Sequence, residues 1–110
     1  MLTMTQVSIL RLPSVELTIG LRKSAIYDRI DRGLFPAPVD LGPRSVGWVS
    51  TEVEAIQQAI IRGASEDELR QLVSELHQAR GYVPSEKKRA KYKAIVAKRR
   101  SKAAPGAQAA

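Results

Sequence analysis

The sequence predicts a mainly α-helical protein with a small β-hairpin, arranged as a winged helix-turn-helix and followed by a C-terminal helix and a basic tail. Three observations predict it. Two short helical patterns meet at Ile19-Gly20-Leu21, two alternating apolar segments flank a Gly-Pro turn just after them, and the chain becomes strongly basic towards its end. A helix, a tight glycine turn and a second helix with a basic N-terminus form the unit that presents a helix to the major groove of DNA. Four parts follow from this: a lead-in over 1–10, a DNA-binding unit over 11–63, an amphipathic helix over 64–81 and a flexible basic tail over 82–110.

Each element has a local cause. Met1 to Ser8 carries little pattern, although Val7, Ile9 and Leu10 are apolar enough to cover a core. Pro13 suits the first turn of a helix, where its missing N–H is not needed. Leu12, Val15 and Ile19 give that helix one buried stripe, and Gly20 ends it by taking the left-handed conformation cheaply. The second helix spans Ser24 to Arg32, with Ile26 and Ile30 on its buried face and Gly33 as its stop.

A strand pair follows. Val39 and Leu41 alternate with polar or turn residues, and Val46 and Trp48 do the same on the return, around the turn Gly42-Pro43-Arg44-Ser45. This hairpin is the wing, and Trp48, the only tryptophan, is expected to lock it onto the helices. Thr51 to Arg62 reads as a third helix, opened by a Thr51–Glu54 capping box and buried along Val53, Ile56 and Ile60. Ser65 and Glu68 form a second capping box. The helix behind it carries Leu69, Leu72, Val73 and Leu76 on one face, which either packs on the domain or pairs with a second copy, as a homodimer or in cooperative tandem binding. His77 lacks a partner at ligand spacing and reads as a surface histidine. Beyond the hinge at Gly81–Ser85, nine basic residues face one acid up to Lys102; Tyr92, Ile95 and Val96 offer only a thin apolar stripe, and the last eight residues read as an unstructured end.

Composition bounds the function. The 110 residues suffice for one compact domain and a tail. The net charge of +7 favours a polyanionic partner, yet it is unevenly spread: seven basic residues oppose six acids up to Arg62, and eleven oppose five beyond it. Absence of cysteine excludes disulfides, thiolate metal sites and cysteine nucleophiles. No stretch approaches the ~20 apolar residues that span a bilayer, and no secretory pattern opens the chain, so a cytoplasmic, nucleoid-associated protein without a membrane partner is expected. Neither a carboxylate pair nor a nucleophile–base set nor a phosphate-cradling loop stands in a context that supports catalysis, so no enzyme and no cofactor are expected.

The candidate site is an interface for double-stranded DNA. Arg22, Lys23 and Ser24 open the second helix, where side chains and free backbone N–H groups meet phosphate and groove. Tyr27, one turn on, is expected at a phosphate or a thymine methyl, and Arg32 at the DNA backbone. Arg44, with Ser45 beside it at the wing tip, suits an adjacent narrow minor groove. Lys87, Lys88, Arg89, Lys91, Lys93, Lys98, Arg99 and Arg100 supply non-specific phosphate contacts, each steepening the salt dependence by roughly 0.9 in log–log slope.

Leu12 to Trp48 resembles the AlpA family of phage and prophage regulators. The signatures are G-L-R-K-S-A-I-Y, G-L-F-P-A-P-V and L-G-P-R-S-V-G-W, with S-T-E-V-E-A-I following, and together they cover Leu12 to Ile60. Asp28 and Arg29 stand where that family tends to place a basic and then an apolar residue. The resemblance implies a winged helix-turn-helix similar to the MerR and excisionase domains, transcriptional control of prophage or mobile-element genes, major-groove contacts from residues 22–27 and a wing contact from Arg44. Three functions remain open at this level. They are a sequence-specific regulator, an excisionase-like factor that bends DNA beside an integrase, and a non-specific nucleic-acid or ribosome-associated protein governed by its tail. Integrase and RNA polymerase are the protein partners the first two would take.

Overall fold

The computed structural model describes residues 7–107, with side chains up to Lys98. Its order is β1 (Ile9–Leu10), α1 (Leu12–Ile19), α2 (Lys23–Asp31), β2 (Val39–Gly42), β3 (Ser45–Val49), α3 (Ser50–Ile61), α4 (Glu66–Ala79) and α5 (Glu86–Ala107). The fold is mainly helical with a small antiparallel sheet, as a winged helix-turn-helix requires. Among the described residues no helix is long and apolar enough to cross a membrane.

The turn between α1 and α2 forms as its residues dictate. Pro13 lies in the first turn of α1, and Gly20 closes that helix in the left-handed region (φ 81°), its N–H donating to the Glu16 carbonyl at 2.7 Å. A Cβ at Gly20 would meet open space, so backbone conformation alone favours glycine there.

The wing is larger than a hairpin. β1 pairs antiparallel with β3 (Ile9 opposite Val49, Leu10 opposite Trp48), and β3 pairs with β2 on its other side, giving the order β1-β3-β2. The lead-in therefore ends as a strand, and Ser8 and Ser50 extend the pairing: Ser50 N–H donates to the Ser8 carbonyl, and Ser8 N–H donates to Ser50 Oγ, both at 2.8 Å. The close crossing depends on Gly47, because a Cβ there would collide with the Ile9 side chain and sit 3.1 Å from the Leu10 carbonyl. These contacts also explain why the Thr51–Glu54 capping box does not form. Val49 is the N-cap of α3 and makes no side-chain cap bond, so Thr51 already lies inside the helix.

The core joins all layers. Val15 from α1, Ile26 from α2, Leu34 and Phe35 after it, Trp48 from β3, and Val53 and Ile56 from α3 are essentially inaccessible. Ala59 rather than Ile60 continues the buried face of α3. The Ser65–Glu68 capping box of α4 forms reciprocally, with three acids in the first turn opposing the positive helix end.

The apolar stripe of α4 faces its own domain: Leu69 and Val73 are buried, and Leu72 and Leu76 are half-buried against the same core. His77 is consequently no surface histidine. Its Nε2 accepts the Ala37 N–H at 3.1 Å, and burial, reinforced by the Arg80 guanidinium, lowers its pKa to about 4. The unfolded imidazole, titrating near 6.5, binds more protons than the folded one between those values, so stability is lost as pH falls through that window. The ring is half-buried, and solvent screening reduces the effect to about 1 kcal/mol between pH 7 and 5. Thermal melts at both pH values should show wild type losing more stability than His77→Gln, whose amide oxygen keeps the acceptor; parallel losses would refute this assignment.

The largest departure from expectation is the tail. Instead of a flexible segment, residues 86–107 are the longest helix, and α5 packs along α2. Tyr92 and Val96 are buried and Ile95 half-buried, so the thin stripe finds a surface to cover. The helix continues to Ala107, through most of the end expected to lack structure; residues 1–6 and 108–110 lie outside the described ones.

Candidate nucleic-acid interface

The start of α2 is electrostatically positive by construction. Arg22 is its N-cap with an extended backbone (φ −87°, ψ 169°), its side chain makes no capping bond, and no acid stands in the first turn. The opening N–H groups of α2 therefore lack the side-chain acceptor that most helices supply. Arg22 and Lys23 are both exposed beside them and Ser24 is half-buried. This cluster offers two cations and aligned backbone donors to an anion.

Further along α2 the picture changes. Tyr27 does not face a groove. It is 6 % exposed, with its ring edge-on to Trp48 (centroids 6.0 Å apart) and tilted against Tyr92 of α5 (5.7 Å). Its position one residue past Ile26 places it beside the buried stripe, and α5 completes its enclosure. Burial raises the pKa of the Tyr27 phenol; that of Tyr92 rises too, first by burial and then through Tyr82. Asp28 and Asp31 are half-buried on this helix.

Arg32 caps the end of α2 and is engaged within the chain. Its guanidinium pairs with Asp28 at 3.1 Å and with Glu66 of α4 at 3.6 Å, while Arg70 donates to its carbonyl at 3.2 Å. It ties α2 to α4 while remaining partly exposed. Arg44 stands exposed at the tip of the wing, and it is the one described non-glycine residue with positive φ (62°), a conformation a tight hairpin imposes. Ser45 begins β3, half-buried and paired with Gly42.

On α5, Lys87, Arg89, Lys91, Lys93 and Lys98 are exposed. Lys88 differs: its Nζ pairs with Asp40 of the wing at 3.4 Å and lies 5.5 Å from the centre of the Tyr82 ring. Arg99 and Arg100 belong to the helix, but their side chains lie outside the described residues. Tyr92, Ile95 and Val96 are the only sequence signal that α5 docks, through their i, i+3, i+4 spacing.

A helix-turn-helix with an exposed basic helix start, a three-stranded wing and a closing third helix defines a winged-helix type of DNA-binding domain. Residues 8–60 match the family described as prophage CP4-57 regulatory protein (AlpA), a span running from the start of β1 almost to the end of α3. The chain belongs to this AlpA family of phage regulators. It is similar to a protein of Enterobacteria phage P4 named "Uncharacterized protein ORF88", at 42 % identity over 59 residues, which cover 54 % of this chain and 67 % of that relative. No solved structure gives a significant match. Family membership supports a DNA-binding regulator of phage type.

Proposed function

We propose that the protein is a sequence-specific regulator that reads double-stranded DNA with the first turns of α2 and steadies itself with the wing. Lys23 contacts a base edge in the major groove and Ser24 a base or a phosphate beside it, Arg22 contacts a flanking phosphate, and Arg44 enters the neighbouring minor groove. The lysines and arginines of α5 add affinity without sequence preference. Such a protein acts in the cytoplasm, on prophage or mobile-element DNA. The observation that carries this reading is the uncapped, acid-free start of α2, with Arg22 and Lys23 exposed on it, inside an AlpA-family domain.

The test uses a duplex enriched from a random-sequence pool by the full chain, compared with a scrambled duplex of equal length. Lys23→Ala should reduce the ratio of the two affinities about 5- to 150-fold, the range of one good base contact of 1–3 kcal/mol. Arg44→Ala should lower it less. The assignment is wrong if Lys23→Ala leaves the ratio unchanged.

A further inference from the structure

We infer that α5 is a removable cover on the DNA-reading helix, so that the chain holds its own recognition surface shut until phosphates draw α5 away. This rests on the proposal that α2 reads DNA. Its ground is the packing of α5 along α2, with Tyr92 and Val96 buried in the seam and Tyr27 enclosed between Tyr92 and Trp48.

The conflict with DNA is geometric. The major groove is about 12 Å wide and admits one helix. With α5 packed along α2, every residue of α2 from Ser24 to Asp31 is buried or half-buried, so past Lys23 the helix has no free face to lay in that groove. In the closed state the exposed first turn, with Arg22 and Lys23, still meets phosphate. Deeper entry, bringing Ser24 to the bases, requires α5 to leave.

The seam is suited to opening. A cleft of about 440 Å³ lies where the end of α2, α4, residues 82–84 and α5 meet, so the contact is incompletely filled. Beside it Asp31 Oδ1 is buried with no hydrogen-bond partner. The connection to α4 runs through Gly81 (φ 71°), Tyr82, which is held against His77 and Arg80, and the exposed Val83 and Pro84, so the pivot lies between Tyr82 and the start of α5. Electrostatics supplies the drive. The Lys88–Asp40 pair spans α5 and the wing with both side chains partly solvated, whereas Lys87, Arg89, Lys91, Lys93 and Lys98 form no ion pair among the described residues. A phosphate backbone satisfies those five cations and competes for Lys88, while the closed state satisfies one.

Two experiments decide it. Tyr92→Ala combined with Val96→Ala weakens the seam and keeps every charge on α5. On the enriched duplex this variant should bind at least threefold tighter than wild type, with scrambled-duplex affinity unchanged within twofold. Equal or weaker binding to the enriched duplex by a variant with wild-type circular dichroism would overturn the cover. Because the chain has no cysteine, Asp40→Cys with Lys88→Cys can be bridged by a short bis-maleimide. The bridged protein should lose at least tenfold in enriched-duplex affinity against the same variant left unbridged, and equal affinities would overturn the idea independently of folding. Lys23→Ala in each background separates the two claims. If it is silent throughout, α2 is not the reader; if it costs affinity while opening and bridging change nothing, only the cover fails.

Discussion

Trp48→Ala should destabilise the protein by about 3–5 kcal/mol, the usual cost of truncating a large buried aromatic. Domains of this size hold about 5–15 kcal/mol in total, so the variant approaches the limit of folding. The side chain is fully buried, meets the Tyr27 ring edge-on, and donates its indole N–H to the Pro36 carbonyl at 3.2 Å. Its strand position opposite Leu10 makes it the joint of β1, β3 and the segment that follows α2. Trp48→Phe separates volume from hydrogen bonding. It retains most of the apolar contact and leaves the Pro36 carbonyl without its donor, at a cost of about 1–3 kcal/mol. Urea unfolding followed by circular dichroism measures both, since the only tryptophan is itself replaced. An alanine variant within about 1 kcal/mol of wild type would mean that the wing is not anchored through this ring.

The burial of Trp48 is legible in the sequence because its cause is local: an alternating strand beside a Gly-Pro turn has one large ring to bury. The same holds for Gly20, where a glycine after an apolar stripe closes α1, and for Ser65 with Glu68, whose capping partners are three residues apart. What escapes the sequence depends on residues far apart in the chain. The docking of α5 is hidden because Tyr92, Ile95 and Val96 are three apolar residues among nine basic ones, and their partner surface begins some sixty residues earlier. Tyr27 misleads for the same reason, since it reads as exposed until α5 is laid over it. The strand at Ile9–Leu10 is two residues long and carries no alternation to detect. The exposed start of α2 is fully legible, because Arg22, Lys23 and the missing first-turn acid are neighbours in sequence. Whatever α5 does to the access of that site is not.

Arg80→Leu should cost about 3–5 kcal/mol, because it strands a buried charge. Arg80 Nε pairs with Glu52 Oε2 at 2.8 Å, its Nη2 donates to the Ala37 carbonyl at 2.6 Å, and its guanidinium lies 4.9 Å from the centre of the Tyr82 ring. Glu52 has little alternative: it is 6 % exposed, and its other oxygen, Oε1, is buried without a hydrogen-bond partner. One guanidinium thus fastens the end of α4 to α3, to the segment before the wing and to the chain leading into α5. The pair itself need not be strongly stabilising, since desolvating two ions offsets most of their attraction. A double-mutant cycle exposes the difference. Glu52→Leu with Arg80→Leu should recover most of the loss of Arg80→Leu alone, giving a coupling of about 2 kcal/mol or more in urea unfolding. Additive losses would show that Arg80 acts through the Ala37 carbonyl and the Tyr82 ring and not through Glu52. Recovery of stability without recovery of the α5 seam, read as hydrogen exchange in residues 86–98, would give the ion pair a second role, that of fixing the direction in which the chain leaves α4.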